Sequence, residues 1–176
     1  ICPDCVDWQN SIDGIRSPFR FEGIIRDSIH LLKYKNLRDI SGILSELLFL
    51  YLGNNPINFD LIIPVPLHPK KLKDRGYNQS ELIARKLSEL THLPADTFSL
   101  IRTRYSIPQV KTAGKEDRLH EIKGAYSCIH NNNLKNKSIL LIDDVATSGA
   151  TLDECAKTLK TAGAAEVWGL TAAREI

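Results

Sequence analysis

Apolar positions recur at helical spacing twice near the start of the chain. Ile25, Ile29 and Leu32 fall within FEGIIRDSIHLLKYKN, and Ile40, Ile43, Leu44, Leu47 and Leu48 within DISGILSELLFLYLG. Steps of three and four residues put these side chains on one face, so the pattern predicts two helices. Gly53 and the run Asn54 to Pro56 supply the stop. FDLIIPVPL is then short and continuously apolar, as in a buried strand of a parallel sheet. PLHPKKLKDRGYNQ reads as loop. QSELIARKLSEL reads as a helix, with Leu82, Ile83, Leu87 and Leu90 on one face and Glu81 near the positive end of the helix dipole.

From Arg102 to Lys137 no period is sustained. Pro108, Gly114, Gly124 and three consecutive asparagines stand among charges, which predicts surface loop with short strands, the composition of a functional cover. The last unit is regular: strand SILLID, a turn of small residues, a helix with Leu152, Cys155, Ala156 and Leu159 on one face, Gly163 as its stop, and strand EVWGLTAA. Strand, helix and strand in repeated order predict an α/β fold, a mostly parallel sheet flanked by helices.

Length and composition narrow this further. At 176 residues, 43% hydrophobic and 25% charged, the chain suits one domain with appendages and not a disordered polymer. The longest apolar segment, ISGILSELLFLYLG, carries Glu46 and is shorter than a bilayer crossing, so it predicts a buried helix and no membrane insertion. A net charge of +2 says little about nucleic acid. The cysteines, Cys2, Cys5, Cys128 and Cys155, are too few and too uneven for a disulfide framework, and a reducing cytoplasmic setting is expected.

The chemistry concentrates in ILLIDDVATSGATL. In an open α/β sheet ligands bind outside the carboxyl ends of the strands, where Asp143 and Asp144 fall. No large side chain interrupts the turn between Val145 and Thr151, so backbone N–H groups can close around an anion, with Gly149 permitting conformations other residues resist. The following helix aims its positive end at the same spot, and Thr147, Ser148 and Thr151 add hydroxyl donors. Two carboxylates beside a phosphate cradle suit the vicinal hydroxyls of a sugar, so the composite is a site for a ribose 5-phosphate. Successive strand residues face opposite ways, and both acids meeting one ligand predicts a backbone that turns at the pair. The stretch lacks the GK[ST] ending of a Walker loop and the GxGxxG spacing of a dinucleotide fold.

LLIDDVATSGATL resembles the phosphoribosyl-pyrophosphate motif of type I phosphoribosyltransferases. Nearly the whole chain resembles the ComF family of that superfamily, associated with competence for DNA uptake. LKYK (Leu32 to Lys35), PVPLHPKKLKDRGYNQ (Pro64 to Gln79), Pro108 with Gln109, and GAY (Gly124 to Tyr126) carry the likeness. The resemblance implies a type I phosphoribosyltransferase fold with a flexible lid in the irregular middle. It further implies Mg²⁺ bound with phosphoribosyl pyrophosphate (PRPP), and transfer of phosphoribose to an acceptor. Asp143 and Asp144 would act on the ribose hydroxyls, and Ala146, Thr147, Ser148, Gly149, Ala150 and Thr151 would hold the 5-phosphate. The loop with Leu67 and His68, together with Arg75, would face pyrophosphate. Purine-salvage relatives place an acid where Thr147 stands, and that departure argues against a purine acceptor.

CPDC, Cys2 to Cys5, has zinc-knuckle spacing but supplies two of the four thiolates of a closed structural site. The resemblance implies a second pair upstream of Ile1, and so a truncated N-terminal zinc ribbon. Residues 1–20 are its expected remnant and 21–176 the phosphoribosyltransferase-like domain. Cys128 and Cys155 read as packing. Lys70, Lys71, Lys73 and Arg75 read as a solvated basic loop or as single-stranded-DNA contacts, for which Tyr77 is the sole nearby aromatic. The alternative to an enzyme is a non-catalytic PRPP-binding sensor, or a single-stranded-DNA-handling accessory that meets competence-machinery proteins in natural transformation.

Overall fold

The computed structural model describes residues 11–104, 122–129 and 133–175. In chain order the elements are β1 (Gly14–Arg16), β2 (Phe19–Arg20), α1 (Gly23–Tyr34), α2 (Ile40–Asn54), β3 (Leu61–Pro64), α3 (Pro69–Arg75), α4 (Gln79–Thr91), β4 (Leu100–Arg102), β5 (Tyr126–Cys128), β6 (Ser138–Ala146), α5 (Ala150–Thr161) and β7 (Glu166–Arg174). The main sheet runs β1-β7-β6-β3, with β2 also on β7, and every pairing in it is parallel. Strands β4 and β5 form a separate antiparallel pair. The register sets Ile62 against Leu140 and Leu140 against Trp168, and holds the carboxyl ends of β3 and β6 side by side.

Alternation along the strands explains why both faces are covered. Ile63, Ile139 and Leu141 pack with Leu152, Cys155, Ala156 and Leu159 of α5 and with Leu100 and Tyr126 of the small sheet. Ile62, Leu140, Ile142 and Leu170 pack with Ile29 and Leu32 of α1, Leu44 and Leu48 of α2, and Ile83, Ala84 and Leu87 of α4. A strand buried on both faces reads as an unbroken apolar run, as ILLI does.

Three elements differ from the sequence expectation. Residues 69–75, expected as loop, form α3. Its caps are local: the His68 Nδ1 accepts from the Lys70 N–H at 3.2 Å, Pro69 opens the helix, and Gly76 closes it at φ +81°. None of its residues is buried, so no apolar period announced it. Strand β6 continues through the two aspartates to Ala146, with Asp143 opposite Thr171 and Val145 opposite Ala173, so the chain does not turn at the pair. Finally, Gly14–Arg16 and Phe19–Arg20, for which no strand was expected, pair with β7 of the main sheet. Cys2 and Cys5 lie outside the described residues, as does most of the expected lid, including Pro108, Gln109 and Gly114.

The start of the described chain is clasped by α5. Asp153 accepts from the Ser11 and Ile12 N–H groups at 2.7 and 3.1 Å. Asp13 accepts from the Lys160 Nζ and from the Val167 N–H, both at 2.7 Å.

Candidate functional site

The carboxyl ends of β3 and β6 open into two adjoining hollows. One, about 220 Å³, is lined by Ala146, Thr147, Ser148, Gly149, Ala150 and Thr151 with Asp143, Val145, Arg102 and Ile122. The other, about 270 Å³, is lined by Asp143, Asp144, Thr151, Leu67, Lys71, Arg75, Gln79, Ser80, Lys33, Arg102 and Tyr126. Asp143, Val145, Thr151 and Arg102 are common to both, so the hollows form one cleft. A larger hollow of about 760 Å³ lies at the opposite end of β3, beside Asp60, Phe98 and Lys137, and contains none of these groups.

The turn has the form its residues suggested. Gly149 adopts φ +80° and caps α5, so the first residues of the helix, Ala150 to Leu152, line the smaller hollow with their N–H groups at its N-terminal end. Left-handed backbone costs a residue with a side chain about 1–2 kcal/mol, which is why glycine stands there. The N–H groups and the helix dipole give that hollow a positive character that suits an anion.

The aspartates reach one cavity by different routes. The Asp143 carboxylate folds back over its own strand, where Oδ1 accepts the Asp144 N–H at 2.9 Å and the Ser80 hydroxyl at 2.8 Å. Ser80 is placed by the start of α4, where Asn78 accepts its N–H at 3.1 Å and anchors to the Val65 carbonyl at 3.0 Å. Asp144 points toward α1, and its Oδ1 meets the Lys33 Nζ at 2.9 Å. Asp144 is only 3% exposed, and among the described residues its Oδ2 has no hydrogen-bond partner. Burial, and then the neighbouring Asp144 charge, push the Asp143 carboxyl up to about 7, against the pull of the Lys33 ammonium and the Ser80 hydrogen bond.

The other expected residues divide. Leu67 and Arg75 line the cavity, and Arg75 donates to the Gln79 side chain, with its guanidinium 5.7 Å from the Tyr34 ring centre. His68 instead turns its ring to cap α3. Desolvation, followed by the charges of Arg102, Lys70 and Lys71, lowers its pKa, which suits a neutral ring accepting an N–H.

Sequence reasoning assigned no role to Lys33, Ser80, Arg102 or Tyr126. Lys33 and Tyr126 lay within LKYK and GAY, and that was the available signal. Beside the acid-bearing hollow, an outer cleft is lined by Lys33, Tyr34, Asn36, Arg38, Lys71, Asp74, Arg75 and Tyr77. Tyr77 is buried beneath Arg38 and donates its hydroxyl to the Leu32 carbonyl, so the exposed aromatic here is Tyr34, 69% accessible.

An all-parallel main sheet with an acid pair and a glycine-capped turn of small residues at its carboxyl edge defines the class. A phosphoribosyl transferase domain matches residues 72–173. Two solved structures share the fold. They are the glutamine phosphoribosylpyrophosphate amidotransferase from B. subtilis (TM-score 0.53, 18% identity, 81% of this chain and 30% of that one) and an adenine phosphoribosyltransferase (TM-score 0.50, 11% identity, 84% and 75%).

Among curated relatives, competence protein F of Haemophilus influenzae is 31% identical over 180 residues, covering 98% of this chain and 78% of its own. DNA utilization protein YhgH of Escherichia coli O157:H7 is 32% identical over 149 residues (81% and 64%). Competence protein ComFC of Bacillus subtilis is 29% identical over 175 residues (94% and 68%). The chain belongs to this competence protein F family, with its phosphoribosyl transferase domain.

Proposed function

We propose that the chain binds PRPP and transfers its phosphoribosyl group to an acceptor in the handling of incoming DNA. One observation carries the reading: an acid pair, a left-handed-glycine turn at a helix start, and Arg75 with Lys71 all open into one cleft. The 5-phosphate fits the turn from Ala146 to Thr151, the ribose hydroxyls donate to Asp143 and Asp144, and pyrophosphate lies toward Leu67, Lys71 and Arg75. As the bond to the sugar carbon breaks, charge grows on the departing pyrophosphate, and these cations offset it.

Among the described residues no group of three His, Cys, Asp or Glu side chains could hold a metal. The phosphoribosyl transferase domain supports Mg²⁺ arriving with PRPP, where it would supply further charge neutralisation beside Lys71 and Arg75. Zinc on Cys2 and Cys5 rests on the CPDC spacing, and metal analysis of the purified chain tests it. Among the described residues no helix is long and apolar enough to cross a membrane. The cytoplasmic setting rests on the few, unevenly placed cysteines.

Calorimetric titration of PRPP with Mg²⁺ should show binding to wild type and its loss in the Asp143→Asn, Asp144→Asn double variant. No binding to wild type refutes the site. Pyrophosphate release that depends on one acceptor marks an enzyme, and tight binding without turnover marks a PRPP sensor. The outer cleft favours a second reading, single-stranded-DNA handling, because Tyr34 offers an exposed stacking face among Arg38, Lys71 and Arg75. Salt-dependent DNA binding that is unchanged in Tyr34→Ala and Lys71→Ala would remove it.

A further inference from the structure

Lys33 is distant in sequence from the acid pair, yet its ammonium closes over Asp144. The pairing leaves that carboxylate 4% accessible and the Lys33 side chain 20% accessible. A sugar hydroxyl can take the place on Asp144 Oδ1 only if the ammonium withdraws. Lys33 also lines the outer cleft, where Lys71, Arg75 and Arg38 gather positive charge around its stem. Its backbone has little freedom to follow: Leu32 is fully buried, and its carbonyl accepts the Tyr77 hydroxyl from the far end of α3. The long, unbranched side chain is therefore the moving part, swinging from a fixed helix end between a carboxylate and a cationic cleft.

Resting on the phosphoribosyl reading of the cleft, we infer that Lys33 is a ligand-binding residue that works by exchange of partners. In the empty site its ammonium neutralises Asp144. When PRPP arrives the ammonium passes to the pyrophosphate, and the uncovered Asp144 accepts the ribose hydroxyl. Neither half of the exchange is favourable alone. Withdrawing the ammonium without a sugar leaves a buried charge unpaired, and a sugar without pyrophosphate gives the ammonium no anion to receive it. Lys33 thus couples recognition of the two ends of the ligand and selects PRPP over ribose 5-phosphate.

The test is the ratio of affinities for Mg–PRPP and ribose 5-phosphate, measured by calorimetry on wild type and Lys33→Gln. The variant should lose PRPP affinity and keep or gain ribose 5-phosphate affinity, so the ratio falls by about 10- to 100-fold, the worth of one charge-assisted hydrogen bond. An unchanged ratio overturns the exchange, whether both affinities fall together, as a merely structural Lys33 would require, or neither moves. Absence of PRPP binding by wild type overturns the site itself and the exchange with it.

If Lys33→Gln does not fold, Asp144→Asn and the pair Lys33→Gln, Asp144→Asn carry the test with Mg–pyrophosphate alone. Asp144→Asn frees the ammonium and should bind pyrophosphate more tightly than wild type. The pair, whose net charge equals that of wild type, should lose the gain and fall below wild type. Equal pyrophosphate affinity in the single and paired variants overturns the exchange.

Discussion

Asp143 should make the protein less stable as pH rises toward neutrality. Its carboxyl lies at about 7 in the folded chain against an ordinary 3.8, with burial as the main cause and the Asp144 charge second. Between those values the native state holds a proton that the unfolded state has lost. Stability therefore falls as pH climbs through the window, by at most about 1.4 kcal/mol per unit, and the full penalty, on the order of 4 kcal/mol, stands above pH 7. Asp143→Asn cannot ionise, yet its Oδ1 still accepts from Ser80 and from the Asp144 N–H. Urea unfolding of both proteins at pH 5, 6, 7 and 8 reads the titration of the Asp143–Asp144 pair against a site that holds one ionisable carboxyl. The variant's advantage should be smallest at pH 5 and grow to a plateau just above pH 7. A difference that is flat across the range, or that shrinks with pH, would refute the burial argument. Ligand binding should run the other way, since sugar hydroxyls need an ionised acceptor, and wild-type PRPP affinity should improve as pH rises through 7.

Two glycines offer opposite outcomes from the same substitution. A Cβ on Gly14 would fall 2.3 Å from the Trp168 ring, so Gly14→Ala should displace β1 from β7 and cost about 2 kcal/mol in thermal or urea unfolding. Gly42 lies inside α2 with nothing within 4 Å of such an atom, and Gly42→Ala should stabilise by about 0.5–1 kcal/mol. Gly149→Ala strains the turn at φ +80° by about 1–2 kcal/mol and should weaken ribose 5-phosphate binding in calorimetry while circular dichroism stays native.

The fold and half of the cleft were legible because their determinants are contiguous. ILLI alternates between two apolar layers, and the acids and the small-residue turn follow within ten positions, so one stretch holds the strand and the side of the cleft proposed for sugar and phosphate. The rest depends on tertiary placement. Lys33 meets Asp144 because α1 ends above the sheet, Ser80 meets Asp143 because Asn78 fixes the start of α4, and Tyr126 arrives on a strand of the separate small sheet. No local period encodes such meetings. The expected turn at the aspartates failed for a related reason. The alternation rule was sound, but Asp143 reaches the cleft by folding its side chain back, a contact that only the assembled α4 provides. Helix α3 escaped notice because caps alone define it, and β1 and β2 because strands of three and two residues carry almost no pattern.

The place of β7 in the sheet bears on how the protein is made. This strand touches β1, β2 and β6 at once, yet it follows every one of them in the chain. A ribosome delivers the flanking strands first and the strand that joins them last, so β1 and β2 emerge with no partner to pair with. The acid-bearing β6 meanwhile has β3 on one side and an open edge on the other. Completion of the sheet, and with it a settled ligand cleft, must wait for synthesis of the stretch from Glu166 to Arg174. Long-range parallel pairing of this kind is slow and leaves apolar edges uncovered while it waits. Until that stretch is free, the open edges of β6 and of the short N-terminal strands are where self-association of the new chain would begin.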